Sequence, residues 1–279
     1  MKILSLIFSL RAFCSSLPGQ TTLTGTVTDA AGQPLEFATV AVRGRADGTL
    51  STTDGSFALT PQSPLAAGDT IVFSYLGYRT RSLAAEELTP GTRVTLAESG
   101  VALVTVDVTA GKLRAVQLGR KEKKALVFYQ HRNRQTYQIA TRVRNRKRRT
   151  GVLTELRYYF GAAARRGKPV RLNFYALDPA CECPGTPLHG RSIVPDGVRK
   201  GWNKEDLRDH GVELPGGDFF VAYEWLDGER GPGALDFSVG CAYDGSSPPV
   251  FEKTGGLDWQ VMERIGKLRP LIKLTALVD

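Results

Sequence analysis

The sequence predicts an all-β protein, and three observations carry that expectation. Apolar and polar residues alternate with period 2 in segment after segment, as in TLTGTVTD (22–29) and VRLNFYALD (170–178). No segment sustains the 3.6-residue apolar stripe of an amphipathic helix. Gly 30 and Pro 15 suit many short strands joined by turns. With 42% hydrophobic residues the chain can build a packed core, and 279 residues suit one large domain or two ordinary ones.

Residues 1–20 read as a signal peptide. Lys2 supplies a positive start, and ILSLIFSL (3–10) is an apolar run too short to span a bilayer. Small and turn residues follow in CSSLPGQ, which places cleavage near Gln20. Arg11 puts a charge at the end of the apolar run. Cys14 follows RAF rather than the small residues of a lipid-attachment site. A buried N-terminal strand or helix is the competing reading. No later segment is long and apolar enough for a transmembrane helix. The expected location is outside the cytoplasm: periplasm, outer-membrane surface or secreted.

The first domain is expected over 21–97. In TLTGTVTD, Leu23, Gly25 and Val27 share one face and threonines take the other, which marks a half-buried strand. AAGQPLEFATVAVRG then gives a turn from Gly32 to Pro34 and a strand with Ala38, Val40 and Val42 on one face. SFALT, TIVFSYLGYRT and RVTLAE repeat the style. Within STTDGSF (51–57), an ion-binding loop centred on Asp54-Gly55 would need oxygen ligands where Leu50, Thr52 and Pro61 stand. The positive φ that glycine adopts freely points instead to a hairpin turn.

The series GTVTDAAGQPLEFATVAVRG, GTLSTTDGSFAL and GDTIVFSYLGYRT closely resembles the carboxypeptidase-regulatory-like (transthyretin-like) module over 22–97. The matching elements include Gly25, Asp29, Gly32, Pro34, Ala38, Asp54-Gly55, Phe57 and the SYLGY run. That module is a small β-sandwich found after carboxypeptidase catalytic domains and at the N-termini of TonB-dependent outer-membrane receptors. The resemblance implies a non-catalytic unit for folding support, docking or weak glycan binding. Phe57, Phe73 and Tyr75 would fill its core.

Residues 98–149 read as a linker and basic segment. LAESGVALVTVDVTAGK resembles the exit from the module. Between Lys112 and Arg149 stand 14 Lys/Arg and one acid, Glu122, against 23 and 27 in the rest of the chain, so the basic character of a chain with net charge +9 is local to this stretch. Nucleic acid would suit the charge and the interleaved Phe128, Tyr129 and Tyr137. Export and the lack of any helix-turn-helix, zinc-finger or RNP pattern exclude it as a partner. Contact with an anionic envelope surface and a solvated connector remain. If the run is extended, Arg142, Arg144, Arg146 and Arg148 project to one side and form the candidate anionic-surface site.

Strand character resumes in a second domain, 150–279. GVLTELRYYFG comes first, then VRLNFYALD with Val170, Leu172, Phe174 and Ala176 opposite Arg171, Asn173, Tyr175 and Leu177. RSIVP, DFFVAYEWL, ALDFSVGCAY, PPVFEK and LIKLTALV follow, and NKEDLRDHG suits a short helical turn or a polar loop. QIATRVRN, PVRLNFYALD, CPGTPL, GW-x-x-x-DL and LPGGDFFVAYEWL together resemble the β-rich tail of some exported bacterial envelope proteins. That resemblance implies a jelly-roll-like β-sandwich.

Beyond Cys14 the cysteines are Cys181, Cys183 and Cys241. In an oxidising compartment one of the CEC pair would bridge to Cys241, with Cys183–Cys241 as the candidate disulfide. With His189 they also form a nominal Cys/His set, but C-x-C is not the spacing of common zinc knuckles, so no metal is expected. No cofactor motif occurs, and none of HExxH, GxSxG or a P-loop is present. His131, His189 and His210 are scattered, and EDLRDH reads as a polar surface turn. Glu224, on the strand face of Ala222 and Phe220, is the best single enzyme candidate, but it has no sequence-evident partner. Trp202, Trp225 and Trp259 suit core or sheet-covering positions better than a sugar platform. The expected function is a non-catalytic, exported cell-envelope binding or assembly module, for glycan or an outer-membrane partner. The alternative is a polysaccharide-active enzyme with an accessory N-terminal domain.

Overall fold

The alternation in TLTGTVTD becomes the first strand, β1 (Leu23–Thr28), with Leu23 and Val27 buried and Thr24 exposed. The structure is a computed structural model that describes residues 21–99, 113–119, 125, 127–130, 136–161, 170–226, 238–245 and 248–278. The expected signal peptide at 1–20, Cys14 and His131 lie outside the described residues.

The first sandwich continues with β2 (Thr39–Val42), β3 (Gly48–Leu50), β4 (Ser56–Leu59), β5 (Thr70–Ser74), β6 (Arg81–Ala84) and β7 (Thr92–Thr95). One sheet has the order β4-β1-β7, with β1 and β7 parallel, and the other has the order β3-β2-β5-β6. Ala38, Val40 and Val42 point into the shared core with Val27, Phe57 and Phe73. Phe57 and Phe73 meet edge to face, ring centroids 5.6 Å apart. Burying one such ring stabilises the fold by roughly 1.5–3 kcal/mol. Tyr75, expected inside, is only partly buried at the margin of this core.

Asp54-Gly55 is a turn, and Gly55 has φ 78°. It is not a hairpin, however, because β3 and β4 belong to different sheets. The turn carries the chain around the corner of the sandwich. Thr52 and Gly55 close it through the bonds Gly55 N–H to Thr52 O (2.8 Å) and Thr52 N–H to Ser56 O (2.8 Å).

The second sandwich begins inside the stretch expected to be a linker. Its strands are β8 (Arg114–Gly119), β9 (Val127–Gln130), β10 (Tyr137–Val143), β11 (Gly151–Phe160), β12 (Val170–Asp178), β13 (Cys183–Pro187) and β14 (Gly201–Asp206). Then come β15 (Glu213–Leu214), β16 (Phe219–Trp225), β17 (Ser238–Tyr243), β18 (Val250–Thr254), β19 (Gln260–Val261), β20 (Leu268–Pro270) and β21 (Ile272–Val278). One sheet has the order β13-β12-β16-β10-β18-β19. The other runs β20-β17-β11-β21-β8, with β14 and β15 also paired to β11 and β9 to β17. The boundary expected at 150 is therefore corrected: β8 and β10 are ladder strands of this domain, and β10 lies between β16 and β18.

Alternation builds the core between these sheets. Tyr137, Ile139 and Val143 of β10, Val170, Leu172 and Phe174 of β12, and Val221, Tyr223 and Trp225 of β16 all point inward. The opposite residues of the same strands face outward. Even so, every residue of β16 is buried. A central strand buried on both faces needs a cover on its outer side, and the first sandwich supplies part of it.

Candidate binding site at the junction of the two sandwiches

Registers across β18, β10, β16 and β12 pair Lys253 with Gln138, Gln138 with Glu224, and Glu224 with Arg171. Since one residue per strand occupies each position of a ladder, these four side chains form a polar row on the outer face of the sheet. The adjacent row is Phe251, Ala140, Ala222 and Asn173. Ala140, Phe220, Ala222 and Phe251 form a small apolar cluster of their own, flanked by Tyr175, Trp259 and Cys183. Thus the polar row borders an apolar platform.

Arg171 is the anchor of the row. Its Nη1 donates to Glu224 Oε2 (3.1 Å), its Nε to Ser192 Oγ (2.9 Å) and its Nη2 to the carbonyl of Phe37 in the first sandwich (2.9 Å). The guanidinium also lies over the ring of Tyr75, 5.5 Å from its centroid. Asn173 Nδ2 donates to the same Glu224 oxygen (2.9 Å). The planar fork of arginine spreads five N–H donors over three nitrogens, so it can meet three well-separated partners at once. Phe37, whose carbonyl takes the bond, has φ 60°, an unusual value for a bulky residue. Backbone bonds complete the junction: Gly44 N–H to Gly256 O (3.0 Å) and Gly256 N–H to Arg45 O (2.9 Å).

Beside this anchor the two sandwiches line a partly open cavity of about 470 Å³. Thr39, Arg43 and Ser74 line it from the first sandwich, and Gln138, Glu224 and Lys253 from the second. The wall thus offers hydroxyls, an amide, a carboxylate and cations, a mixture suited to a hydroxyl-rich ligand. Tyr175 donates to Gln138 Oε1 (3.0 Å), which orients the amide. Burial, and next the negative charge of Glu224, push the Tyr175 hydroxyl well above its ordinary range, so it stays a donor.

Glu224 therefore does have partners, and they are the ones a single strand could not reveal. The outward face of VRLNFYALD contains both Arg171 and Asn173, but only the pairing of β12 with β16 brings them to the acid. Sequence reasoning missed Arg171, Asn173 and Gln138. A charged residue in an otherwise apolar strand was the available signal.

The arginine row is not assembled as an extended strand would have it. β10 ends at Val143, the chain turns at 146–147, and Arg148 has φ 48°. Arg142 Nε is engaged by Asp218 Oδ2 (2.9 Å), and Glu182 Oε1 lies 3.8 Å from its Nη1. The buried Asn145 fastens the turn through bonds to the carbonyls of Arg149 (2.7 Å) and Pro215 (2.8 Å). Arg146 and Arg148 are exposed on that turn, whereas Arg142 and Arg144 are half-buried. Tyr137 is in the core.

The expected Cys183–Cys241 bridge is corrected as well. Cys183 is joined to Cys181, and Cys241 is a buried thiol whose Sγ approaches Val239 O (3.6 Å). Cys241 sits in the core between the sheets, whereas Cys183 belongs to the cluster outside them, so the sheet separates the two. His189 is buried too. Its Nε2 accepts from Phe174 N–H (3.1 Å) and its Nδ1 meets the Arg191 carbonyl (2.8 Å). Burial lowers its pKa to about 4, so it is a neutral structural residue. Trp225 is core, while Trp202 and Trp259 are half-buried; Trp259 packs edge to face on Tyr175 at 5.6 Å.

Residues 22–109 match the family model of the carboxypeptidase regulatory-like domain. The comparison with curated proteins found no match. Among solved structures, the chain is similar to a clostridial cysteine protease, Cwp84, in a form obtained after propeptide cleavage. Identity is 8%, TM-score 0.43, and coverage 88% of this chain and 66% of that one. It is also similar to the cysteine protease and lectin-like domains of Cwp84, a surface layer associated protein of Clostridium difficile. Here identity is 8%, TM-score 0.44, and coverage 88% and 59%. The chain thus spans about two thirds or less of the length of those structures. No helix among the described residues is long and apolar enough to cross a membrane.

Proposed function

We propose that this protein, whose residues 22–109 match the carboxypeptidase regulatory-like domain, is an exported, non-catalytic binding module of a cell envelope. Its ligand on this reading is a glycan segment held in the junction cavity. The observation that carries the proposal is the polar row Lys253–Gln138–Glu224–Arg171 opposite the hydroxyls of Thr39 and Ser74. Amide, carboxylate and cation in a fixed ladder can donate to and accept from successive sugar hydroxyls. Glu224 is better suited to hold than to react. Its Oε2 already accepts from Arg171 and Asn173, leaving Oε1 to accept from the ligand.

The test is a polysaccharide and oligosaccharide screen on the full chain, with calorimetry and a reducing-end assay on each hit. Binding without new reducing ends, weakened tenfold or more by Gln138→Ala, supports the module. Release of reducing ends that Glu224→Gln abolishes would replace it with the polysaccharide-active enzyme. Absence of any glycan binding leaves an outer-membrane protein as the partner to seek.

A further inference from the structure

On the same outer face of the six-stranded sheet, toward the other end of β10, an open groove of about 390 Å³ is lined by Arg142, Arg144, Cys181, Glu182, Phe251 and Val261, with Pro248 and Pro249 at its edge. A disulfide forms part of its wall. Cys181 is exposed and Cys183 half-buried, so an incoming thiol has access to the Cys181 sulfur. We propose that Cys181–Cys183 is an exchangeable disulfide centre that accepts two electrons from the dithiol of a peptide segment lying in this groove.

Two features support exchange over a purely structural bridge. First, the bridge closes a loop of a single intervening residue. In the chain-entropy model the stabilisation from a cross-link grows with loop length, so this one contributes little to the fold. Second, Glu182 between the cysteines has φ 53°, a left-handed conformation that costs a non-glycine residue energy and that opening the ring relieves. β13 stays anchored to β12 by its ladder, with Cys183 against the outer apolar cluster, so reduction need not unfold the domain.

A partner thiolate attacks Cys181 Sγ, the S–S bond breaks, and its electron pair passes to Cys183 Sγ as a thiolate. The partner's second thiolate then attacks its own sulfur in the mixed disulfide and expels the Cys181 thiolate. The partner dithiol loses two electrons and two protons and becomes a disulfide, while Cys181 and Cys183 gain them and become thiols. Apolar Phe251 and Val261 in the same groove favour a peptide with apolar residues next to its cysteines.

The experiment uses the full chain carrying Cys14→Ser, equilibrated with mixtures of reduced and oxidised glutathione and with a synthetic dithiol peptide that has apolar residues beside its cysteines. Thiols are counted by alkylation and mass. Cys181 and Cys183 should interconvert while Cys241 resists alkylation without denaturant, and the peptide should be oxidised one for one. Cys183→Ser should retain a mixed disulfide on Cys181. Glu182→Gly, which removes the left-handed strain, should shift the exchange equilibrium toward the disulfide by about fivefold relative to Glu182→Gln, the charge control. A bridge that stays closed in a thousandfold excess of reduced glutathione overturns the proposal. Reduction only together with exposure of Cys241 also overturns it, because opening would then require unfolding.

Discussion

Arg171 and Glu224 face each other on adjacent antiparallel strands, Nη1 to Oε2 at 3.1 Å, with side chains only 4% and 2% exposed. The same guanidinium reaches out of its own domain to the Phe37 carbonyl. One side chain therefore neutralises a buried acid and docks one sandwich on the other. Removing either partner leaves the other charge buried without its counter-ion. Arg171→Ala or Glu224→Ala should each destabilise the protein by about 3–5 kcal/mol. Replacing both at once, as Arg171→Met with Glu224→Leu, should cost far less, because no buried charge is left unpaired. Urea unfolding of the three variants tests this, and equal losses in single and double variants would refute it.

Docking is also enforced by missing side chains. A Cβ on Gly256 would stand 2.0 Å from the Val42 carbonyl oxygen, and one on Gly77, at φ 83°, would stand 2.2 Å from that of Gly190. Both clashes are with backbone across the junction. Gly256→Ala should push the sandwiches apart without unfolding either. The expected signs are a larger radius of gyration in solution scattering, faster limited proteolysis between the domains and loss of glycan binding. Unchanged scattering would mean that the junction backbone yields.

Phe57, Phe73, Val27 and their neighbours form a core that belongs to the first sandwich alone. A fragment of residues 22–97 should therefore melt cooperatively with a β-type circular dichroism spectrum. Within it, Gly55→Val should cost about 1–3 kcal/mol from the positive φ, and more from a Cβ 2.5 Å from the Val27 carbonyl oxygen. A neutral substitution would mean that the corner is looser than the geometry shows.

His189 links stability to pH. Its folded pKa of about 4 lies below the ordinary 6.5 because burial penalises the charged ring. Between those values the unfolded chain binds a proton that the native state does not. Stability is thus complete above pH 6.5 and falls as pH drops toward 4, by roughly 3 kcal/mol from this residue. His189→Gln should lose that share of the acid sensitivity. Parallel midpoint shifts for both proteins between about pH 7.5 and 4.5 would assign the acid loss to other groups.

Local pattern in the chain is enough to say which residues are strands and which way their side chains point. Period 2 is local, so Val170, Leu172 and Phe174 were legible as the inner face and Arg171, Asn173 and Tyr175 as the outer. The turn at Asp54-Gly55 was legible too, because positive φ is a property of one residue. The resemblance over 22–97 came from spaced turn and core residues and agrees with the family match over 22–109. Pairing between strands is a long-range matter, and there the sequence fell silent. Glu224 meets Arg171 across 53 positions because β16 lies beside β12, and no local pattern encodes that neighbour. The basic run looked like a connector because its charges hid the inward alternation of Tyr137, Ile139 and Val143. Only the sheet shows that Asp218 holds Arg142 and that the run turns at Asn145. The cysteines follow the same rule. Beyond Cys14 the sequence offers three candidates, but a layer of sheet separates Cys183 from Cys241, and among the described residues Cys183 is joined to Cys181.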